Sequence, residues 1–187
     1  MISGYDVHGI KTVCVFCGSS KTVDKAFYDT AIEFADLCCD FNIRVQYGGG
    51  AIGLMGSLAE RILERGGHIK GIIPQFMHDR KWAHHRVKEM IVVQDMRERK
   101  RQMIDKTDAV VVLPGGIGTL EELMEVSTLK QLGLFDKPIF VVNTKNYFGT
   151  FLVFLQEMIH HGFLREEDRN IWEIIDKPAD FLTVFGK

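Results

Sequence analysis

Asp108-Ala-Val-Val-Val-Leu-Pro-Gly-Gly-Ile-Gly-Thr-Leu-Glu-Glu122 is the stretch from which the rest of the chain can be read. Asp108 to Leu113 is a short apolar run rich in valine, the pattern of a strand buried on both faces. Thr119 onward reads as an amphipathic helix, and the turn between the two consists almost wholly of small residues. Successive glycines let backbone N–H groups crowd around an oxyanion. The free amides and positive dipole end of the following helix then attract the anion without a charged side chain. Phosphate is the natural guest.

At about 100° per residue, Leu120, Leu123, Met124, Val126 and Leu129 define a broad apolar arc on that helix. Glu122 falls inside the arc, whereas Glu121 and Glu125 fall outside it, so one glutamate points inward. Thr119-x-x-Glu122 also fits a capping box, in which a helix-start threonine and a glutamate three residues on satisfy each other's orphan amides. The two readings are compatible, because a cap would also fix the carboxylate in place.

A second helix start carries the opposite charge. Asp95-Met-Arg-Glu-Arg-Lys-Arg-Gln-Met103 opens with an Asp95 cap and Glu98 at the third helical position. It then places Arg97, Arg99 and Lys100 where cations oppose the helix dipole. Met96, Met103 and Ile104 mark the packed side, Arg99 and Lys100 flank it, and Arg97, Arg101 and Glu98 point away. A solvated basic face is the plain explanation of the run, but an arginine beside a methionine stripe calls for an anionic partner.

The remaining chain alternates β and α patterns. Strands are expected at Thr12 to Cys17, Ile43 to Tyr47, His68 to Ile73, Met90 to Val93, Asp108 to Leu113 and Pro138 to Val142, with a weaker one at Asn170 to Ile175. Helices are expected at Asp24 to Asp40, Gly53 to Arg65, Tyr147 to His161 and Pro178 to Phe185. This is an α/β pattern, a doubly wound, Rossmann-like parallel sheet with helices on both faces. Ligands in such sheets bind beyond the carboxyl ends of the strands. There the chain places Gly18-Ser19-Ser20 after the first strand, Gly48 to Gly53 after the second and Gly115 to Gly118 after the fifth.

With 187 residues and 46% hydrophobic content the chain can bury one core, so residues 1–187 are read as a single nucleotide-binding α/β domain. Residues 1–10 are expected to form a loose N-terminal segment. A net charge of −2 with both signs interspersed argues against nucleic acid or an anionic membrane as partner. No stretch is long and apolar enough for a membrane span and the start lacks a signal-peptide pattern, so a cytoplasmic location is expected. Cys14-x-x-Cys17 lies along a strand without a second pair, and the His84-His85 and His160-His161 doublets are neighbours, so no metal site is expected. Gly48-Gly-Gly-Ala-Ile-Gly53 satisfies a dinucleotide fingerprint, yet Ile72-Ile-Pro-Gln75 stands where an acidic ribose ligand belongs. With no Walker motif either, a monophosphate is the expected ligand.

Met96-Arg-Glu-Arg-Lys100 and Pro114-Gly-Gly-Ile-Gly-Thr-Leu-Glu-Glu122, with Val15-Phe-Cys-Gly-Ser-Ser20 and Gln46-Tyr-Gly-Gly-Gly-Ala-Ile-Gly-Leu-Met-Gly56, occur in an order that resembles the Lonely Guy family. Its members are cytokinin riboside 5'-monophosphate phosphoribohydrolases, long mislabelled lysine decarboxylases. The resemblance runs from about Lys11 to Phe163. It implies hydrolysis of the N-glycosidic bond of a nucleoside 5'-monophosphate, without a cofactor, in a protein that forms homodimers. It also implies Arg99 and Glu122 as catalytic residues, with Lys100 assisting. Substrate contacts are expected from Ser19, Ser20, Gly49, Gly50, Arg99, Lys100, Gly115, Gly116, Ile117, Gly118, Thr119, Leu120 and Glu121. The chain departs from the family in Pro74 to Glu89, where the loop is longer than expected and Phe76 stands near a usual acidic position. A non-catalytic nucleotide-binding module is the alternative reading. The catalytic one requires the Glu122 carboxylate and the Arg99 guanidinium to meet beside the glycine turn.

Overall fold

The structure is a computed structural model and is described for residues 9–185. Seven strands form one parallel sheet: β1 (Thr12–Phe16), β2 (Arg44–Tyr47), β3 (Ile69–Pro74), β4 (Glu89–Val93), β5 (Ala109–Val112), β6 (Ile139–Val142) and β7 (Glu173–Ile175). The helices are α1 (Lys25–Asp40), α2 (Gly53–Glu64), α3 (Gln75–Asp79), α4 (Met96–Ile104), α5 (Ile117–Gln131), α6 (Gly149–His160) and α7 (Asp180–Phe185). The weak C-terminal strand pattern is a real edge strand, paired with β6 through Val141 and Ile174. The short helix α3 occupies part of the stretch read as a long loop.

The order across the sheet is β4-β3-β2-β1-β5-β6-β7. The chain therefore winds outward from β1 in one direction and from β5 in the other, and the two central strands are neighbours with Val13 opposite Ala109 and Phe16 opposite Val112. Period-2 side-chain alternation then divides the core in two. Val13, Val15, Val45 and Val111 face one way and pack with Phe34 of α1, Leu58 and Ile62 of α2 and Phe181 of α7. Cys14, Phe16, Val110 and Val112 face the other way and pack with Met103 of α4, Leu123 and Val126 of α5 and Leu152 of α6. Cys14 and Cys17 fall into opposite halves of the core. Of the segment expected to be loose, residues 1–8 lie outside the described residues, Gly9 is exposed and Ile10 is buried in the core. No helix among the described residues is long and apolar enough to cross a membrane.

The amino ends of β1 and β5 are tied by the first residue of the deciding stretch. Asp108 accepts the backbone N–H groups of Lys11 and Thr12 at 2.8 and 2.9 Å through one carboxylate oxygen. Its own N–H donates to the Thr12 carbonyl at 2.8 Å. Asp108→Ala leaves two amides at the head of the central strand without their acceptor. It should cost about 1.5–3 kcal/mol, seen as a lower urea midpoint at unchanged slope; an unchanged midpoint would show the carboxylate to be dispensable.

Candidate active site

The switch in winding direction falls between β1 and β5, and the loops leaving those two strands pack backbone to backbone. Gly18 N–H donates to the Pro114 carbonyl at 3.0 Å. A Cβ on Gly18 would lie 3.1 Å from Gly115 Cα, so the contact has no room for a side chain. The loop after β1 also meets the start of α2. Gly53 adopts φ +63°, and a Cβ there would fall 2.5 Å from the Ser19 carbonyl carbon. These contacts border a hollow of about 260 Å³ lined by Gly18, Ser19, Ser20, Gly115, Gly116 and Tyr147, with Phe27 and Leu54 closing it.

Helix α5 begins at Ile117 with Gly116 as its N-cap, and no side chain caps it. The capping box read from Thr119 and Glu122 is therefore not formed. Thr119 is the third helical residue, not the cap, and it is buried. Its hydroxyl lies so close to Gly115 that a Cβ on that glycine would be 2.0 Å from it. Gly116, Ile117 and Gly118 are exposed, with Ile117 87% exposed, and the opening amides of an uncapped helix are free to hydrogen-bond an anion. Leu120 instead packs against the core beneath β5.

Glu122, one turn on, is held inside the protein as the apolar arc requires, at 8% exposure. Its partner is Arg99, 7% exposed, with Nη1 at 2.9 Å from the Glu122 carboxylate. Arg99 Nε also donates to the Ile72 carbonyl within β3, and Nη2 donates to the Gly48 carbonyl after β2, both at 3.3 Å. One guanidinium thus serves three acceptors from three elements. A Cβ on Gly48 would sit 2.0 Å from Arg99 Nη2, so the glycine there makes space for the cation. The cation-rich start of α4 is balanced by its own first turn. Asp95 accepts Glu98 N–H at 2.8 Å, and Glu98 reaches back to Gln94 N–H at 3.0 Å. Lys100 is turned to the outer side, where it ion-pairs with Glu121 and Glu125 of α5.

Burial raises the Glu122 carboxyl above the ordinary glutamate range, and the Arg99 charge works against that rise. The buried Cys14 and Cys17 thiols beside the pair are pushed up as well, by burial first and the Glu122 charge second. Gly49, with φ +75°, accepts His84 N–H at 2.9 Å, and Gly50 bridges to Ala83. The second glycine loop is thereby fastened to the segment after α3. Sequence reasoning brought Glu122, Arg99 and the three glycine loops together but missed Gly48 as the space-maker, and Phe27 and Tyr147 as walls of the hollow. A tyrosine thirty-odd residues downstream carries no local signal for that role.

Sheet order and switch-point loops define the class as a Rossmann-like α/β protein. A family model described as "Possible lysine decarboxylase" matches residues 55–185. Cytokinin riboside 5'-monophosphate phosphoribohydrolase LOG5 of Arabidopsis thaliana is 41% identical over 87% of this chain and 71% of its own length. The probable cytokinin riboside 5'-monophosphate phosphoribohydrolase LOGL2 of Oryza sativa subsp. japonica is 39% identical over 92% of this chain and 70% of its own. The chain belongs to this family, the Lonely Guy family. Among solved structures, the molybdenum cofactor binding protein of Rippkaea orientalis superposes with a TM-score of 0.70 at 17% identity, covering 95% of this chain and 96% of that one. The molybdenum cofactor carrier protein of Chlamydomonas reinhardtii gives 0.70 at 15% identity, covering 95% and 99%. At such identities these two share the fold alone.

The buried pair makes stability depend on pH in a definite direction. Glu122 has a native pKa above its unfolded one, so its contribution is greatest below the unfolded value and is lost as pH rises through the native value. Arg99→Met removes the cation that opposes this shift. It should cost about 3–5 kcal/mol near neutral pH, because an uncompensated carboxylate is left buried. Urea unfolding at about pH 5 should restore part of the deficit relative to about pH 7.5, as Glu122 takes up a proton; a deficit independent of pH would show that the carboxylate is not the group left exposed to the loss.

Proposed function

We propose that this chain hydrolyses the N-glycosidic bond of a nucleoside 5'-monophosphate, of the AMP or cytokinin riboside monophosphate type, releasing the free base and ribose 5-phosphate. The observation that carries the reading is the Arg99–Glu122 contact at 2.9 Å, buried next to an uncapped, glycine-rich helix start. The curated relatives named for this reaction support it. In this reading the single domain works without a cofactor.

The phosphate rests on the amides of Gly115, Gly116, Ile117, Gly118 and Thr119, with Ser19, Ser20, Gly49 and Gly50 bordering the sugar and base. Breaking the bond between C1' and the base nitrogen leaves positive charge on the sugar, and the electron pair goes to the base, which takes a proton from solvent, to which Glu122 later returns the one it accepts. Water adds at C1' and gives up its proton to Glu122. A carboxylate whose pKa is raised by burial is a stronger base for that step than an ordinary glutamate. Arg99 keeps Glu122 ionised and separates its charge from the phosphate. At about 4 Å, opposite charges attract by roughly 4 kcal/mol at an effective dielectric of about 20. Lys100 acts from outside by pairing with Glu121 and Glu125 of α5.

The chain is further proposed to act as a cytoplasmic homodimer. Leu132 and Leu134, just after α5, are 65% and 72% exposed and are available to a second copy, whereas Leu123 is wholly in the core. Helix α6 adds Val153 and Phe154 at 57% and 61% exposure.

Purified protein given AMP should release adenine; AMP bound and returned intact would assign the pocket to a binding module instead. Glu122→Gln should keep AMP affinity but lose base release by about a hundredfold or more, the scale of a removed general base; normal turnover would reduce Glu122 to a structural partner. Arg99→Lys should fail nearly as badly as Arg99→Ala, since one ammonium cannot reproduce a planar fork that serves Glu122, Ile72 and Gly48 together. Near-normal Arg99→Lys activity in the adenine-release assay would rule out the fork argument.

A further inference from the structure

The peptide joining Gly115 to Gly116 lies at the centre of the phosphate loop, and it is the bond in that loop most open to reorientation. Glycine on both sides removes the steric barriers that hold other peptide planes, so the plane can flip at little cost. In a trans peptide the C=O and N–H point in opposite directions. A flip would replace the Gly116 donor with the Gly115 carbonyl oxygen, which repels an anion.

One side chain prevents this. Tyr147 donates its hydroxyl to the Gly115 carbonyl at 2.6 Å from a position after β6, far away in sequence. Its ring is fixed edge-to-face against Phe27 at 5.4 Å and against the buried Phe148 at 5.0 Å, and it forms one wall of the hollow at the switch point.

The turn that delivers Tyr147 is held at several points. Lys145 and Asn146 both take left-handed backbone, at φ +55° and +56°, which L residues adopt only when their surroundings hold them there. Asn143 donates to the Asn146 side chain at 3.1 Å and accepts Phe148 N–H at 2.8 Å, while its own N–H donates to Ile175 at 2.7 Å. Lys145 pairs with Asp24, the N-cap of α1, at 2.6 Å. Thr144 and Thr30 share a hydroxyl hydrogen bond at 2.8 Å. The lack of a side chain at Gly149 lets Asn146 close over it, since a Cβ there would meet the asparagine at 2.5 Å.

We propose that Tyr147 is a positioning residue of the phosphate site: its hydroxyl locks the Gly115–Gly116 peptide in the orientation that keeps the carbonyl away from the bound phosphate and the N–H free to donate. This deepens the phosphoribohydrolase reading and rests on it for the identity of the anion.

Tyr147→Phe removes the hydroxyl and keeps the ring contacts. Calorimetric titration with ribose 5-phosphate and AMP turnover read by adenine release, on wild type and variant, test the proposal together with urea unfolding. The variant should bind ribose 5-phosphate about tenfold more weakly, the scale of one lost hydrogen bond. KM for AMP should rise by a similar factor, with a smaller change in kcat and an unchanged urea midpoint. Unaltered ribose 5-phosphate affinity in the variant, or no affinity in the wild type, overturns the proposal. So does a loss of affinity matched by a loss of stability, which would make the hydroxyl a general packing element. Adenine release by the wild type reports separately on the reaction: its absence beside a tenfold weaker variant would leave Tyr147 in its role and remove the hydrolase.

Discussion

Arg99 carries a charge that β2, β3 and α5 jointly withdraw from water, and the fold tolerates it because all three of its nitrogens find an oxygen acceptor. Burying an ion is costly unless its charge and its hydrogen bonds are both answered. Here the carboxylate of Glu122 answers the charge, and the Gly48 and Ile72 carbonyls take two further N–H groups. This one requirement constrains distant parts of the chain. Residue 48 must lack a Cβ, β3 must turn its Ile72 carbonyl toward α4, and α5 must present position 122 on its inner face. The raised pKa of Glu122 follows from the same arrangement, since burial outweighs the neighbouring cation. Structural need and chemical reactivity are therefore two aspects of one contact.

The sheet's winding explains why that contact lies beside the glycine loops where the anion is proposed to bind. Neighbouring parallel strands that send their connections in opposite directions leave a crevice at their carboxyl ends, and β1 and β5 are that pair. A crevice alone would be a groove between two loops. Gly18 and Gly115 let the loops touch backbone to backbone, so the crevice narrows to a hollow bordered by their peptide groups and walled by Phe27, Leu54 and Tyr147. Peptide N–H groups bind an anion without adding a mobile charge, which leaves Arg99 available to the carboxylate.

Much of this was legible in the sequence, for physical reasons that differ by element. The central strands are valine-rich because both faces are buried, and that composition marks them within a residue or so of their observed limits. Glu122 could be placed inward because helical periodicity is a local rule. Arg99 was harder. Its sequence neighbourhood is a basic run, and only a partner twenty-three residues away distinguishes the buried arginine from the solvated ones. The capping box failed because the helix starts at Ile117 with Gly116 as its N-cap, which makes Thr119 the third helical residue, turned toward Gly115. Leu120 and Lys100 came to the expected substrate contacts from the family resemblance; in the structure Leu120 packs with the core and Lys100 pairs with Glu121 and Glu125. Phe27 and Tyr147 were not legible at all, since nothing near them in sequence reveals that α1 and the turn after β6 converge on the glycine loop.

The helices α4 and α5 are joined twice, and the two joints have different physical character. The outer one, Lys100 with Glu121 and Glu125, involves a lysine 18% exposed and glutamates 49% and 38% exposed, so solvent and salt weaken it. The inner one, Arg99 with Glu122, is screened by the core and keeps its strength. A pair that is strong inside and weak outside lets the outer ends of the two helices adjust while the inner carboxylate stays fixed. In the proposed reaction that division suits the site, because the helix start has to accommodate the phosphate while the Glu122 carboxylate one turn later stays in place. The geometry of Glu122 is then set by the protein's interior and not by the ligand, which is the condition for a carboxylate to act at one defined atom of a bound sugar.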